Sequence, residues 1–268
     1  MKEPTFFSPK EIELAQTFFR EGYVVAEIAA KDALQEIRSK VVETAREYLQ
    51  ISRSDPEQVL NLIHEVVSAE DLNQFRLDAI EKINADEFLR PLYFSLARPI
   101  LESLVGNELA MQLRVNLSIQ LPQDDKALLP VHADVWSGNS PFEVVVWLPL
   151  VDCFGTKTMF LLPPAPTQEL HRRFNEYKEK SSEDLYQDIK SELKWIKISY
   201  GQVLLFNQNL PHGNRVNQEC ETRWSMNCRF KTVFSPYHDK KIGEYFEPIT
   251  LRPASWLGMQ YKYPGDKT

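Results

Sequence analysis

The chain has 268 residues, 43% of them hydrophobic, and a formal net charge of −7. That length and apolar content suit one large folded unit or a core with an appendage, and argue against disorder despite 17 prolines. The acidic balance leaves no basic excess to meet phosphates, no apolar run approaches a membrane span, and three cysteines (Cys153, Cys220, Cys228) without a CxxC pair make no disulfide framework.

Met1 to Phe7 carries no apolar h-region, so no signal peptide is expected, and a reducing cytoplasm is the expected compartment. Residues 1–110 read mostly as helix. Ser8-Pro9-Lys10-Glu11 is a capping box with Pro at the first helical position; Ile12, Ala15, Phe18 and Phe19 follow at helical spacing, and Gly22 ends the helix. Tyr23–Ile28 reads as a short strand. Leu34, Ile37, Val41, Ala45 and Leu49 line one face of a long helix, and Asp55-Pro56 starts another whose stripe runs to Val67. Further helices fit 69–83 and 87–105. This half is expected to buttress a sheet and wall one side of a cleft.

Residues 111–163 change character. Leu113 to Leu121 alternates, with Arg114, Asn116, Ser118 and Gln120 on one face and apolar residues on the other. A polar inward face is unusual unless it lines a site. Strands are also expected at Phe142–Leu150 and Thr156–Leu162, and such spacing of short strands suggests an all-β sandwich or barrel. The charged stretch 165–194, with Leu170, Phe174 and Tyr177 at helical spacing, reads as a helical insertion forming a lid or flank. Strands resume at Trp195–Tyr200, Val203–Phe206 and Thr222–Val233. The stretch 236–268 reads as an irregular tail whose aromatics pack on the rest. The expected layout is therefore one structural unit of three parts, bounded at 1–110, 111–235 and 236–268.

The chemistry gathers at Val131-His132-Ala133-Asp134, read as the end of a strand. Side chains two apart on a strand point the same way, so His132 and Asp134 can hold two corners of a divalent metal. His212, in a Pro-His-Gly corner after a rigid apolar strand, offers a third ligand. Two histidines and one carboxylate with open positions is the arrangement of non-haem iron(II) oxygenases. His64, His171 and His238 read as surface or packing residues. Arg223 stands eleven positions beyond His212, and a fixed guanidinium there is what a dicarboxylate co-substrate would need. By parity Arg223, Ser225, Asn227 and Arg229 share one strand face, wholly polar, while Trp224, Met226, Cys228 and Phe230 share the other. Arg229 fits a substrate contact or a structural ion pair. Asn116 and Gln120 are candidates for hydrogen bonds to co-substrate or substrate, and Trp136 and Asn139 for a loop over the substrate. Trp147 fits core or site equally.

Taken together, the HxD pair, distal His and downstream Arg resemble the iron(II)/2-oxoglutarate-dependent dioxygenases, in particular the phytanoyl-CoA hydroxylase-like branch. Gly138-Asn139-Ser140-Pro141 followed by Val146-Trp147-Leu148-Pro149-Leu150 is similar to bacterial members from carbohydrate and aminoglycoside biosynthesis. These motifs span roughly residues 110–235. The resemblance implies a double-stranded β-helix, the cupin or jelly-roll barrel, under an N-terminal helical layer. It implies Fe(II), 2-oxoglutarate and O2, with His132, Asp134 and His212 on the metal. Arg223 and Ser225 would hold the distal carboxylate as an Arg-x-Ser pair. Thr158 matches a hydroxyl that relatives use on the co-substrate, and reads equally as an ordinary strand threonine. The expected reaction is hydroxylation of a small molecule, a carbohydrate or sugar-containing metabolite, rather than halogenation, since Asp134 keeps its carboxylate. The fold is not expected to depend on Asp134. A cupin-type hydrolase or isomerase using zinc or manganese, and a non-catalytic sugar-binding jelly roll, stay open as alternatives. No oligomeric state follows from the sequence.

Overall fold

The computed structural model describes residues 5–52, 54–126 and 128–265, so the first residues, on which the leader reading rests, lie partly outside it. Helix α1 (Pro9–Glu21) begins on the Ser8 capping box, with Glu11 returning the bond to the Ser8 backbone. It stops where Gly22 turns left-handed at φ 77°. After β1 (Tyr23–Glu27) come α2 (Lys31–Leu49), α3 (Pro56–Asn61), α4 (Leu72–Asn84) and α5 (Leu89–Leu104). The stripe that begins at Pro56 breaks after one and a half turns into a short 3-10 turn, and Val66 is exposed.

The strands are β2 (Leu109–Gln112), β3 (Asn116–Gln120), β4 (Val144–Pro149) and β5 (Phe160–Leu161). After α6 (Pro164–Arg172) and α7 (Ser182–Ile189) come β6 (Lys194–Trp195), β7 (Gln202–Asn207), β8 (His212–Gly213) and β9 (Arg223–Thr232). The tail is less irregular than expected. It adds β10 (Phe246–Pro248) and α8 (Pro253–Gln260); Phe246 is buried, whereas Trp256 and Tyr261 are exposed. Two antiparallel sheets result, the larger ordered β1-β7-β4-β9-β2-β10 and the smaller β6-β5-β8. Strand β9 organises the larger one. It pairs with β4 on one edge and with β2 and β3, end to end, on the other. The single strand expected across 113–121 is thus broken, with Leu113 turned outward.

The two-residue alternation along β9 decides what each face does. Trp224, Met226, Cys228 and Phe230 are fully buried in the core shared with α2 to α5. The Trp224 indole donates to the Leu60 carbonyl at 2.8 Å and meets the Phe75 ring edge-on. From α5 the buried Tyr93 hydroxyl donates to the carbonyl of Val146 at 2.9 Å, with that of Met226 at 3.2 Å. These contacts seat the helical layer on the outer face of the large sheet and leave the polar face of β9 turned away from it. The insertion makes its own small core, with Leu170, Tyr177, Leu185 and Ile189 around Phe160. Among the described residues no helix is long and apolar enough to cross a membrane.

Lys231 of β9 is fully buried. Its ammonium donates to the Pro236 carbonyl at 2.6 Å and lies 3.4 Å above the Tyr237 ring. Burial pushes its pKa down to about 8, with Glu143 opposing. The unfolded chain holds this proton up to the ordinary lysine value, so between about pH 8 and 10.5 it binds more protons than the folded one. The charge therefore weakens the fold fully below pH 8, and the penalty fades as pH rises through that window. In urea denaturation, the wild type is expected to gain stability relative to Lys231→Met between pH 8 and 10.5; a constant difference would refute this.

Candidate metal centre

His132, Asp134 and His212 each offer one ligand atom, and these atoms lie within 4.8 Å of one another. The arrangement is built differently from the expected strand end. His132 belongs to an isolated antiparallel bridge with His212, each backbone N–H donating to the other's carbonyl, at 3.0 and 2.8 Å. Asp134 opens a 3-10 turn (Asp134–Ser137), and its backbone N–H donates to the Gln208 carbonyl at 3.1 Å. The carboxylate thus reaches the histidines from a turn, not by strand alternation. The position after His212 has no room for a side chain: a Cβ on Gly213 would lie 2.6 Å from the Leu129 carbonyl oxygen.

Both imidazoles are oriented by their own backbone. Nδ1 of His132 lies 2.8 Å from the Pro130 carbonyl, and Nδ1 of His212 lies 2.9 Å from the Leu210 carbonyl. A carbonyl only accepts, so each Nδ1 carries the proton and each Nε2 presents a lone pair. Burial, with His132 adding to it, pushes the pKa of His212 down to about 4, which keeps that ring neutral and able to ligate near neutrality.

Asp134 divides its two oxygens. Oδ2 accepts from Arg229 Nη2 at 2.7 Å and Nε at 3.2 Å, whereas Oδ1 lies on the histidine side, 3.7 Å from His132 Nε2. Arg229 is braced in turn by Gln208, Gln112 and the Tyr245 hydroxyl. Of the two roles open to Arg229 in the sequence, it takes the ion pair. Asp134, on which the fold is not expected to depend, is half of a largely buried pair.

A cavity of about 540 Å³ joins this cluster to the polar face of β9, lined by Asn116, Arg223, Asn227 and Arg229 together with the ligands. Arg223 is buried. Its Nη1 donates to the Thr158 carbonyl at 3.2 Å and Nη2 to the Ser118 hydroxyl at 2.9 Å, while its Nε has no partner. No carboxylate pairs with it among the described residues. Burial lowers its pKa to about 10, so it stays a cation at neutral pH. Ser225, on the same face, is fully buried with an unpartnered hydroxyl.

The other expected residues divide. Asn116 lines the cavity, its amide donating to Asn227. Thr158 serves through its carbonyl, since its hydroxyl donates to the Ile196 carbonyl at 2.7 Å. Gln120 pairs in register with Arg223 but spends its amide on the Arg215 carbonyl, outside the cavity wall. Asn139 binds Glu143 and Gln208 behind the centre, and Trp136 packs on Phe174 of the insertion, 4.8 Å between rings. Neither lines the cavity, nor does any residue of 165–194. That insertion is a flank rather than a wall. The wall is supplied instead by α4, through Asn73 and Arg76, and by Asp124, Lys126, Leu128 and Leu129. Ser118 was legible from its parity with Asn116; Asp124 and Arg76 carried no signal in the sequence.

No family model matches the sequence, and no curated protein matches it. Solved structures share its fold. AviO1 from Streptomyces viridochromogenes Tue57 superposes with a TM-score of 0.53 at 15% identity, over 87% of this chain and 99% of that one. HygX from Streptomyces hygroscopicus, with nickel and 2-oxoglutarate bound, gives 0.52 at 14%, over 86% and 89%. The nickel complex of the non-haem monooxygenase ThoJ gives 0.51 at 17%, over 90% and 85%. At these identities the likeness is one of fold: antiparallel sheets with flanking helices, shared with proteins that include a non-haem monooxygenase and a 2-oxoglutarate complex.

Removing the brace is expected to loosen the centre. Arg229→Met should weaken nickel(II) binding about 10- to 100-fold, the usual effect of losing a partner that orients a ligand. Asp134→Ala strands a buried guanidinium and should cost about 3 kcal/mol of stability, much of it recovered in the double variant with Arg229→Met. Calorimetric metal titration and urea denaturation of the three variants check both statements.

Proposed function

We propose that the chain is a non-haem iron(II) oxygenase dependent on 2-oxoglutarate, of the phytanoyl-CoA hydroxylase-like branch. Its sheets form a double-stranded β-helix over 111–235, with 1–110 as a helical layer and 236–268 as a tail of the same unit. The observation that carries the reading is Arg223: a buried cation without a carboxylate, in the same cavity as a His–Asp–His cluster. A dicarboxylate chelating the metal at one end supplies the missing anion at the other.

The residues fit such an occupant. Nε2 of His132, Oδ1 of Asp134 and Nε2 of His212 are the free donors, and a triad of this composition suits iron(II). Arg223 receives the distal carboxylate, and the hydroxyls of Ser118 and Ser225 lie on the paired strands beside it, at facing positions of β3 and β9. Ser225 itself does not line the cavity, so Arg223 is the residue that meets the occupant. Held by His132, Asp134 and His212, with Arg223 on the distal carboxylate, iron(II) and 2-oxoglutarate would together supply the oxidising chemistry, with succinate and carbon dioxide as co-products and one oxygen atom delivered to a substrate C–H bond. The protein holds Asp134 in one orientation through Arg229 and keeps both imidazoles in one tautomer. We assign the substrate to small molecules, with sugar-containing metabolites suggested by the stretch Gly138–Leu150. Three free thiols agree with a cytoplasmic setting. A cupin hydrolase has no use for Arg223, and a binding jelly roll none for the His–Asp–His cluster.

Arg223→Ala is expected to weaken 2-oxoglutarate binding to the iron-loaded protein by on the order of 30-fold to several thousand-fold, the loss typical of one buried charged contact. Arg223→Lys should recover only part, because an ammonium cannot offer the planar fork. Metal affinity should hardly change. Titration followed by the weak metal-to-ligand absorption band reads this directly, and an unchanged affinity in Arg223→Ala would sink the proposal.

A further inference from the structure

One acid in the cavity has no part in the centre described above. Asp124 lies on the loop between β3 and His132, is 5% exposed, and lines the cavity. Its Oδ1 accepts the backbone N–H of Lys126 at 2.8 Å, whereas its Oδ2 is closed off from solvent and has no hydrogen-bond partner among the described residues. The loop is pinned close by: Gln123 holds a left-handed φ of 58°, and its N–H donates to the carbonyl of the buried Asn217 at 2.8 Å. Of the four Lys and Arg side chains around the same cavity, Arg223 is given to the co-substrate in the reading above and the other three are engaged elsewhere. Arg229 pairs with Asp134, Lys126 reaches Glu70 at 3.7 Å, and Arg76 donates to Asn73. An ionised carboxylate accepts only, and burying one with a single backbone donor and no cation is costly, so a ligand completes it. A metal ion is a poor candidate, since the one ligand cluster among the described residues is the His132–Asp134–His212 group.

We propose that Asp124 Oδ2 is the substrate anchor and that the substrate carries a protonated amine, whose N–H donates to that oxygen. A neutral hydroxyl would satisfy the hydrogen bond but leave the charge uncompensated; an ammonium does both. This rests on the cavity being the substrate pocket of the oxygenase proposed above, and narrows its substrates to small amines. Arg223 serves the co-substrate in that reading, so an amine on Asp124 and a dicarboxylate on Arg223 occupy separate parts of one cavity.

The test uses the full chain loaded with nickel(II) and 2-oxoglutarate, so that binding is read without turnover. Four shape-matched pairs are titrated: putrescine against 1,4-butanediol, lysine against norleucine, glucosamine against glucose, and ethanolamine against ethylene glycol. At least one amine is expected to bind tenfold or more tightly than its partner. Asp124→Asn should erase that margin while leaving 2-oxoglutarate affinity unchanged. Asp124→Ser, which keeps an acceptor for the Lys126 N–H, replaces it if the amide variant does not fold. Neutral members that bind as well as amines, amines that bind both variants as they bind the wild type, or a panel in which nothing binds would each overturn the proposal. Failure of the wild type to bind 2-oxoglutarate would overturn the oxygenase reading, and this inference with it.

Discussion

A guanidinium shut away from water without a carboxylate is the constraint on which the rest of the site depends. Burying a charge is tolerable only when something compensates it, and Arg223 has a carbonyl and a hydroxyl where an anion belongs. The fold does not relieve this. It holds Arg223 rigidly, between β3 and β9 and beneath the same cavity as the ligand cluster. The apolar face of β9 makes that rigidity possible. Trp224 and Met226 are locked against α3, α4 and α5, so the residues between them cannot turn outward to find water.

The second arginine on the same face is treated in the opposite way. Arg229 has a carboxylate, two amide oxygens and a phenol around it. The chain behind it closes a polar network in which Gln208 donates to Glu143 and to the Ser140 carbonyl, and Asn139 donates to Glu143. A network satisfied this fully fixes geometry. One strand thus carries a spent cation beside the His–Asp–His cluster and an unspent one six positions away.

What could be read from the sequence followed local rules. The capping box at Ser8 and the alternation along β9 need no knowledge of distant chain, and both appear as expected. The His–Asp–His set was legible because two ligands are neighbours in sequence and the third sits at a Pro-His-Gly corner. Readings that depended on register went astray. Asp134 was placed on a strand, but its backbone is held by Gln208 in a turn. Ser225 was legible beside Arg223, yet the hydroxyl that touches Arg223 is that of Ser118, brought there by the pairing of β3 with β9. Thr158 reaches Arg223 through a carbonyl, an atom that no side-chain pattern can reveal. Asp124 stands in a loop, where neither period marks a face. The C-terminal strand and helix were hidden by four prolines that read as irregular chain.

The backbone bridge between His132 and His212 joins two points eighty positions apart, and everything from β4 to β7 lies between them. The bridge is one clasp among several, since β4 and β7 also pair in the large sheet and β5 pairs with β8; each closure costs chain entropy that grows only slowly with length. An ion held by both imidazoles would fasten the clasp at side-chain level as well. It would act on the unfolded ensemble as a cross-link does, removing conformations that the open chain could otherwise visit. The metal would then be a topological fastener as much as a reagent, and the insertion, lying wholly inside the fastened loop, is free to change in length without moving either ligand.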